Sequence, residues 1–339
     1  MKSRRIMVNL LRAGLAAGFM GYIIYRVEAQ YVFDAVRSVA GRWPWVAAGI
    51  VLTFIGLCTG VIRWHRILVA QGFSPSPGAV FHYFFVGQFF NAFMLGACGG
   101  DVARAVCISR NEPGRRAEAA STVFVDRAVG LFATILVGCV MILLQIPLFR
   151  RYPVNRVPGL LMFVFLAASL VAIAALFRRN LFEQWPLFQR MERDMRFGPL
   201  IRRTYEAFYL YRGKPRVLAG ALFYSLLNLA FLTLACICFG ISLSIRVPAH
   251  DYFTLFPIIT VIAAVPITPG SLGLREGLFV SMFGTVGVSA EQAMLLSLMV
   301  YADGALWSLF GGALFMLRPP VSRDALRHEL HSAMDNGPA

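Results

Sequence analysis

Charged residues are scarce. They make up 14% of the chain against 58% hydrophobic residues, with a mean hydropathy of +0.67. That leaves too little polar surface to cover a soluble domain of 339 residues and excludes that class. Acids are scarcer still: 17 Asp and Glu stand against 32 Lys and Arg, a formal net charge of +15. The basic excess does not indicate nucleic-acid binding, because it lies between apolar runs rather than on a separate domain, as cytoplasmic loops do. No G-x-x-x-x-G-K-[ST] motif is present, so an ATP-driven mechanism within this chain is not expected. The six cysteines (Cys58, Cys98, Cys107, Cys139, Cys236 and Cys238) sit in or beside apolar runs and lack the spacing of a zinc site or a disulfide framework. His328 and His331 share one helix face in the tail but have no further ligands nearby in sequence, so neither a metal nor a cofactor is assigned.

What the chain has in abundance is long apolar runs, several of which exceed the roughly 18 residues of a membrane span. After Lys2, Arg4 and Arg5 comes a run from Val8 to Tyr25, longer than a signal-peptide core and without a small-residue cleavage site. It is expected to be a retained span. Residues 31–43 have the spacing of a helix lying in the interface, anchored by Trp43 and Trp45. Further spans are expected from Pro44 to about Ile62, from about Ala117 to Leu144, and at about 159–177, 217–240 and 292–317, with a loop at 146–158. The segment 178–216 is too charged to span and reads as an amphipathic stretch on the cytoplasmic face.

Two runs break in the middle. In the run from Phe256 to Gly287, PITPGSLGLREG (Pro266 to Gly277) cannot continue a straight helix, since Pro266 and Pro269 lack a backbone donor and Gly270, Gly273 and Gly277 cost backbone entropy. Residues 80–109 repeat the problem, with GACGG and then DVARAV following VFHYFFVGQFFNAFML. Each arm is too short for a core of about 30 Å at 1.5 Å per residue. Both are therefore expected to be re-entrant helical hairpins. Gly99 and Gly100 lie at the first tip, Asp101 stands where an N-cap belongs, and Asp101 and Arg104 are spaced i,i+3 to meet on one face. Gln88 and Asn91 are expected to hydrogen-bond between helices.

The expected fold is thus an all-α polytopic membrane protein, an inverted repeat of spans with two re-entrant hairpins. One transmembrane domain covers 1–317, with repeats at about 8–145 and 159–317, followed by a cytoplasmic tail at 318–339. Most Lys and Arg then fall on the cytoplasmic side, with both termini cytoplasmic. An inverted repeat places a substrate site near the midplane, where the broken helices meet.

Asp101, Arg104, Asp126, Arg127, Arg275, Glu276 and Asp303 all fall at or near membrane depth. One role for them is mutual salt bridging that staples the hairpins to their neighbours. The other is that Arg275, with Arg104 and Arg127, faces a cavity and binds an anionic headgroup, oriented by the acids and helped by helix N-termini. Thr268 and Ser271 either cap the broken helix or touch substrate. A transferase on a lipid-linked donor, with Asp101 or Glu276 as base, is the alternative; a channel would require a polar stripe along several spans, which are instead uniformly apolar.

GGDVARA, AEAASTVFVDRAVGL and PITPGSLGLREG, in that order over about residues 8–317, resemble the flippase-like transmembrane region of lysylphosphatidylglycerol synthases and its stand-alone relatives. The resemblance implies movement of a lipid between leaflets of the bacterial cytoplasmic membrane. Its substrate would be an aminoacylated or other anionic phospholipid, a polyprenyl-phosphate-linked sugar or a hopanoid-type lipid. In the bifunctional relatives a soluble aminoacyl-transferase domain follows; here a short polar tail ends at Ala339, so that synthesis is expected of a separate enzyme. Asp126 stands where the family usually has Glu, and Ser271 where it commonly has Gly.

Overall fold

The computed structural model describes residues 41–93, 99–112, 114–176, 209–265 and 273–317, and these are helical with no strand among them. Hydrocarbon offers no partner for a backbone N–H or C=O, and a helix satisfies both within one segment. The helices are α1 (Trp43–Ala70), α2 (Pro77–Phe93), α3 (Gly99–Asn111), α4 (Arg116–Leu144), α5 (Ile146–Arg151), α6 (Arg156–Leu176), α7 (Pro215–Ser242), α8 (Ala249–Ala263), α9 (Leu274–Gly284) and α10 (Ala290–Leu317). Five stretches are long and apolar enough to cross a membrane: α1, α4, the stretch Pro153–Ala174 that includes most of α6, α7 and α10. The run at 8–25, most of the 31–43 and 178–216 segments, and the 318–339 tail lie outside the described residues.

Both broken runs are helix pairs. α2 and α3 have 17 and 13 residues, α8 and α9 have 15 and 11. At about 1.5 Å per residue, even the longest reaches only roughly 25 Å. In the first pair, a Cβ at Gly87 would come within 2.6 Å of Arg104 Cγ, and one at Gly100 would overlap the Gly87 carbonyl. Only glycine allows this approach. The Gly100 N–H donates to Asn91 Oδ1 at 2.9 Å, so Asn91 bonds between helices as its position suggested. Gly273 opens α9 with φ 84°, a conformation an L side chain adopts only under strain. Its N–H donates to Glu276 Oε2 at 2.6 Å, tying down one of the orphan donors of the first turn.

α1 and α7 pack on each other along most of their length, and Gly49 and Gly56 let them close: Asn228 Nδ2 on α7 donates to the Gly56 carbonyl at 2.6 Å. α2 lies on α10, where Gly311 and Gly312 sit against Phe85 and Phe89, and α8 lies on α4. Rings from three helices join there, with Phe54 stacked on Trp307 at 4.9 Å and Phe85 edge-on to Phe310 at 5.2 Å. The largest apolar cluster gathers around α8 and α9 (Tyr252, Ile258, Phe279, Met282 and Phe283), a second around α2 and α3 (Trp64, Val80, Phe85 and Ile108), and a small third joins Ile67, Val125, Tyr211 and Ala221. Val51, Leu143, Leu160 and Val171 point outward, as lipid-facing residues do.

Several boundaries differ from expectation. α1 does not stop near Ile62 but runs through Arg63, His65 and Arg66 to Ala70. Its last carbonyls are claimed by other parts of the chain: Tyr211 Oη donates to the Ile67 carbonyl at 3.2 Å and Lys214 Nζ donates to the Ala70 carbonyl. A cation at a helix C-terminus is favourable, and these contacts extend the helix beyond its apolar stretch. α8 begins at Ala249, seven residues before Phe256, and the 146–158 loop is largely α5 and a 3₁₀ turn at Pro153–Asn155. Asn155 is fully buried there and donates from Nδ2 to Thr285 Oγ1 at 3.1 Å, docking the turn on the end of α9. The described cysteines are packing residues: Cys107, Cys139, Cys236 and Cys238 are buried and none forms a disulfide.

Candidate functional site

Among the described residues, three polar clusters hold the charges expected at membrane depth. The largest is built on Asp126 in α4, only 2% exposed. Arg63 Nε donates to its Oδ1 at 2.7 Å and Arg104 Nη2 donates to its Oδ2 at 2.9 Å, so each carboxylate oxygen holds one guanidinium. Arg63 Nη1 continues to Ser225 Oγ on α7 at 2.9 Å. Arg104 lies over the Trp64 ring at 4.0 Å and the Phe84 ring at 4.8 Å. Its other flank faces Asp101 at 4.0 Å, and Asp101 also pairs with Arg127. The result is a chain of alternating charge, Arg127–Asp101–Arg104–Asp126–Arg63, that ties α1, α3 and α4 together and reaches α7. It is buried at Arg63 and Arg104 (9% and 6% exposed) and opens outward at Arg127, whose side chain is 46% exposed.

The second cluster stands at the start of α9. Arg275 pairs with Glu276, donates from Nε to Ser297 Oγ at 3.2 Å, and sits 4.7 Å from the Tyr301 ring centre. Ser297 and Tyr301 are one turn apart on α10, so a single helix face holds the guanidinium. Glu276 serves both Arg275 and the Gly273 N–H. In the third cluster, Thr53 Oγ1 on α1 donates to Asp303 Oδ2 at 2.6 Å, while the buried Asp303 Oδ1 has no hydrogen-bond partner among the described residues. Among these residues no group of His, Cys, Asp or Glu has the arrangement of a metal site.

The sequence-derived residues thus divide between clusters. Asp101, Arg104, Asp126 and Arg127 come together; Arg275 and Glu276 form their own cluster with α10; Asp303 bonds to α1. Arg104 is 6% exposed, and among the described residues Asp126, Trp64 and Phe84 enclose it. Asp101 is in the first turn of α3, which opens at Gly99, and is not its cap; the helix dipole still favours an acid there. Thr268, Ser271, Pro266, Pro269 and Gly270 lie outside the described residues. Sequence reasoning missed Arg63, which comes directly after the span expected to end near Ile62. The available signal was spacing: Thr53, Gly56, Gly60 and Arg63 recur at helical intervals on the face that α1 buries, and Gly130 on α4 leaves room for the guanidinium.

A model of the family described as Lysylphosphatidylglycerol synthase TM region matches residues 9–302. The chain belongs to this family. All of the charged cluster residues except Asp303 lie within the matched span. The chain is also similar to a "UPF0104 membrane protein" of Methanothermobacter thermautotrophicus, 27% identical over 289 residues, which is 78% of this chain and 80% of the relative. No solved structure matches. With its five apolar spanning-length helices, this member of the lysylphosphatidylglycerol synthase transmembrane family is a multi-pass membrane protein.

Proposed function

We propose that the protein carries a lipid with an anionic headgroup between the leaflets of the cytoplasmic membrane, with both termini on the cytoplasmic side. The observation that carries this reading is the pairing of each short-helix hairpin with a polar cluster that includes arginine: α2–α3 with Arg104 and Arg127, α8–α9 with Arg275. Ionised side chains at membrane depth are costly and in membrane proteins mark substrate paths. Family membership and the mutual exchange of partners, α2 on α10 and α8 on α4, support an inverted repeat with re-entrant hairpins, in which each half's hairpin lies on the other half's last span. Arg275 and Arg127 are the headgroup ligands in this reading, while Arg104 and Asp126 hold the first hairpin in place. The acyl or prenyl chains remain in the bilayer.

The intramembrane transferase is the weaker reading. Each acid proposed as a base is already committed, Asp101 to Arg127 and Arg104, and Glu276 to Arg275 and the Gly273 N–H. A carboxylate engaged in this way is aimed at its own helices rather than at a substrate proton. The test is movement of fluorescent phosphatidylglycerol across proteoliposomes. Wild-type protein is expected to accelerate it, and Arg275→Gln is expected to slow it about tenfold or more, the loss of a charge-assisted hydrogen bond of ~1.5–3 kcal/mol. Movement at the wild-type rate in Arg275→Gln would remove Arg275 from the site, and no acceleration by wild type for any anionic lipid would overturn the carrier reading.

A further inference from the structure

α3 and α4 run back to back through a tight turn in which Gly114 takes φ 95°, and between them lies a half-open groove of about 740 Å³. That is within the roughly 300–1,000 Å³ of ligand sites. Its walls are apolar: Val102, Ala105 and Val106 of α3 and Ala120 of α4. Val102 and Val106 are 58% and 41% exposed, a pair of apolar side chains one turn apart on the outside of α3. At the turn end the lining changes to Arg110 and Arg116.

These arginines differ from their neighbour. Arg115 is turned onto the protein, donating to the Gly72 and Gln71 carbonyls, pairing with Glu112 and lying over Phe73 at 4.1 Å. It thereby occupies the acid nearest the turn. Arg110 and Arg116 are exposed, and neither forms an ion pair with a described acid, Glu118 included. An apolar trough that ends in two guanidinium groups without a described counter-charge has the charge and polarity profile of a lipid with a phosphate head. Arg116, Ala120 and Arg127 fall on one face of α4, and eleven residues at about 1.5 Å place Arg127, the exposed end of the charge chain, roughly 16 Å further along.

We propose that this groove binds an anionic phospholipid, its phosphate held by Arg110 and Arg116 and one acyl chain lying along Val102, Val106 and Ala120. The site rests on the carrier reading only in its role, as the place where a headgroup is gathered before it reaches Arg127 and Asp101. Binding itself does not require transport. Planar guanidinium forks suit phosphate oxygens, and the apolar walls select a lipid over a soluble phosphate ester.

Native mass spectrometry of the purified full chain, offered dioleoyl-phosphatidylglycerol and dioleoyl-phosphatidylcholine in equal amounts, tests this. Wild type is expected to retain phosphatidylglycerol preferentially, Arg110→Gln/Arg116→Gln to lose that preference about tenfold, and Arg110→Lys/Arg116→Lys to keep most of it. Val106→Trp, which fills the trough, is expected to lower retention of both lipids. A photoactivatable phosphatidylglycerol is expected to label the peptide carrying Val102 and Val106. An unchanged preference in the Gln double variant, or labelling only elsewhere, overturns the site. Displacement of the lipid by glycerol phosphate at comparable concentration overturns the lipid assignment in favour of a soluble phosphate ester. Transport in the same proteoliposomes separates the claims: preference lost in the double variant while wild type moves no lipid leaves the groove standing and sinks the carrier reading, and the reverse pattern does the opposite.

Discussion

Asp126 is the one acid between two buried arginines, and Asp126→Asn removes its charge with almost no change in shape. Arg63 and Arg104 stay where they are, 9% and 6% exposed, but the substituted amide offers a single acceptor oxygen where the carboxylate offered two. One guanidinium faces an amide N–H₂, donor against donor. Breaking a buried pair by removing one partner costs about 3–5 kcal/mol, because the other charge is left unpaired in a medium that solvates it poorly. Arg104 keeps its rings, Trp64 and Phe84, and its 4.0 Å approach to Asp101, which offset part of the loss. A net destabilisation of about 3 kcal/mol is expected, a fall in apparent melting temperature of roughly 6–12 °C at ~2–4 °C per kcal/mol. The assay is thermal unfolding in mild detergent, followed by intrinsic fluorescence and by aggregation. Asp126→Glu, which keeps the charge but adds a methylene to a packed site, is expected to lose less than the Asn variant. The combined variant Arg63→Met/Arg104→Met/Asp126→Leu removes the three buried charges at once, leaves Asp101 its pairing with Arg127, and is expected to recover most of the lost stability. An Asp126→Asn variant that melts within about 1 °C of wild type, where roughly 6 °C or more is expected, would refute the account of this network as a staple for the first hairpin.

Further outcomes follow from the same geometry. Gly100→Ala places a Cβ into the Gly87 carbonyl and is expected to cost about 1–3 kcal/mol or more, whereas Gly304→Ala on α10 meets nothing within 4 Å and is expected to leave the melting temperature unchanged or slightly raised. Equal melting of the two variants would show that α2 and α3 do not meet at these glycines. Thr53→Val removes the hydrogen bond to Asp303 Oδ2, leaves that buried oxygen without its donor, and is expected to destabilise by about 1–3 kcal/mol in the same thermal assay. Thr53→Ser, which retains the hydroxyl, is expected to restore most of it. Gly273→Ala forces an L residue to φ 84° at the start of α9 and is expected to lower both stability and lipid movement, since Glu276 and Arg275 are positioned from that turn. Melting and movement at wild-type values would show that the turn does not position them.

Much of this protein is legible in its sequence because the bilayer is a strict solvent. A chain that must satisfy its backbone within hydrocarbon has the helix as its simplest option, so runs such as 215–242 and 290–317 declare themselves by length and hydropathy. Proline and glycine act locally as well: with Pro266, Pro269, Gly270 and Gly273 the 256–287 run had to break, and Gly99 and Gly100 marked the break in the 80–109 run, where α3 begins. The presence of ionised residues at depth was equally readable, since few other features of an apolar chain stand out so plainly.

Which charge meets which was settled only by packing. Asp101 and Arg104 could be paired by their i,i+3 spacing, but Asp126 reaches 63 residues back to Arg63, a distance over which no helical periodicity carries information. The end of α1 was likewise decided from outside, by Tyr211 and Lys214 bonding to its last carbonyls, each 144 positions away in sequence. Sequence determined that charges lie among the helices and that two helices break. Tertiary structure decided that Arg104 is enclosed while Arg127 opens outward and Arg275, on α9, stands apart against α10, because burial and pairing depend on which helices lie side by side.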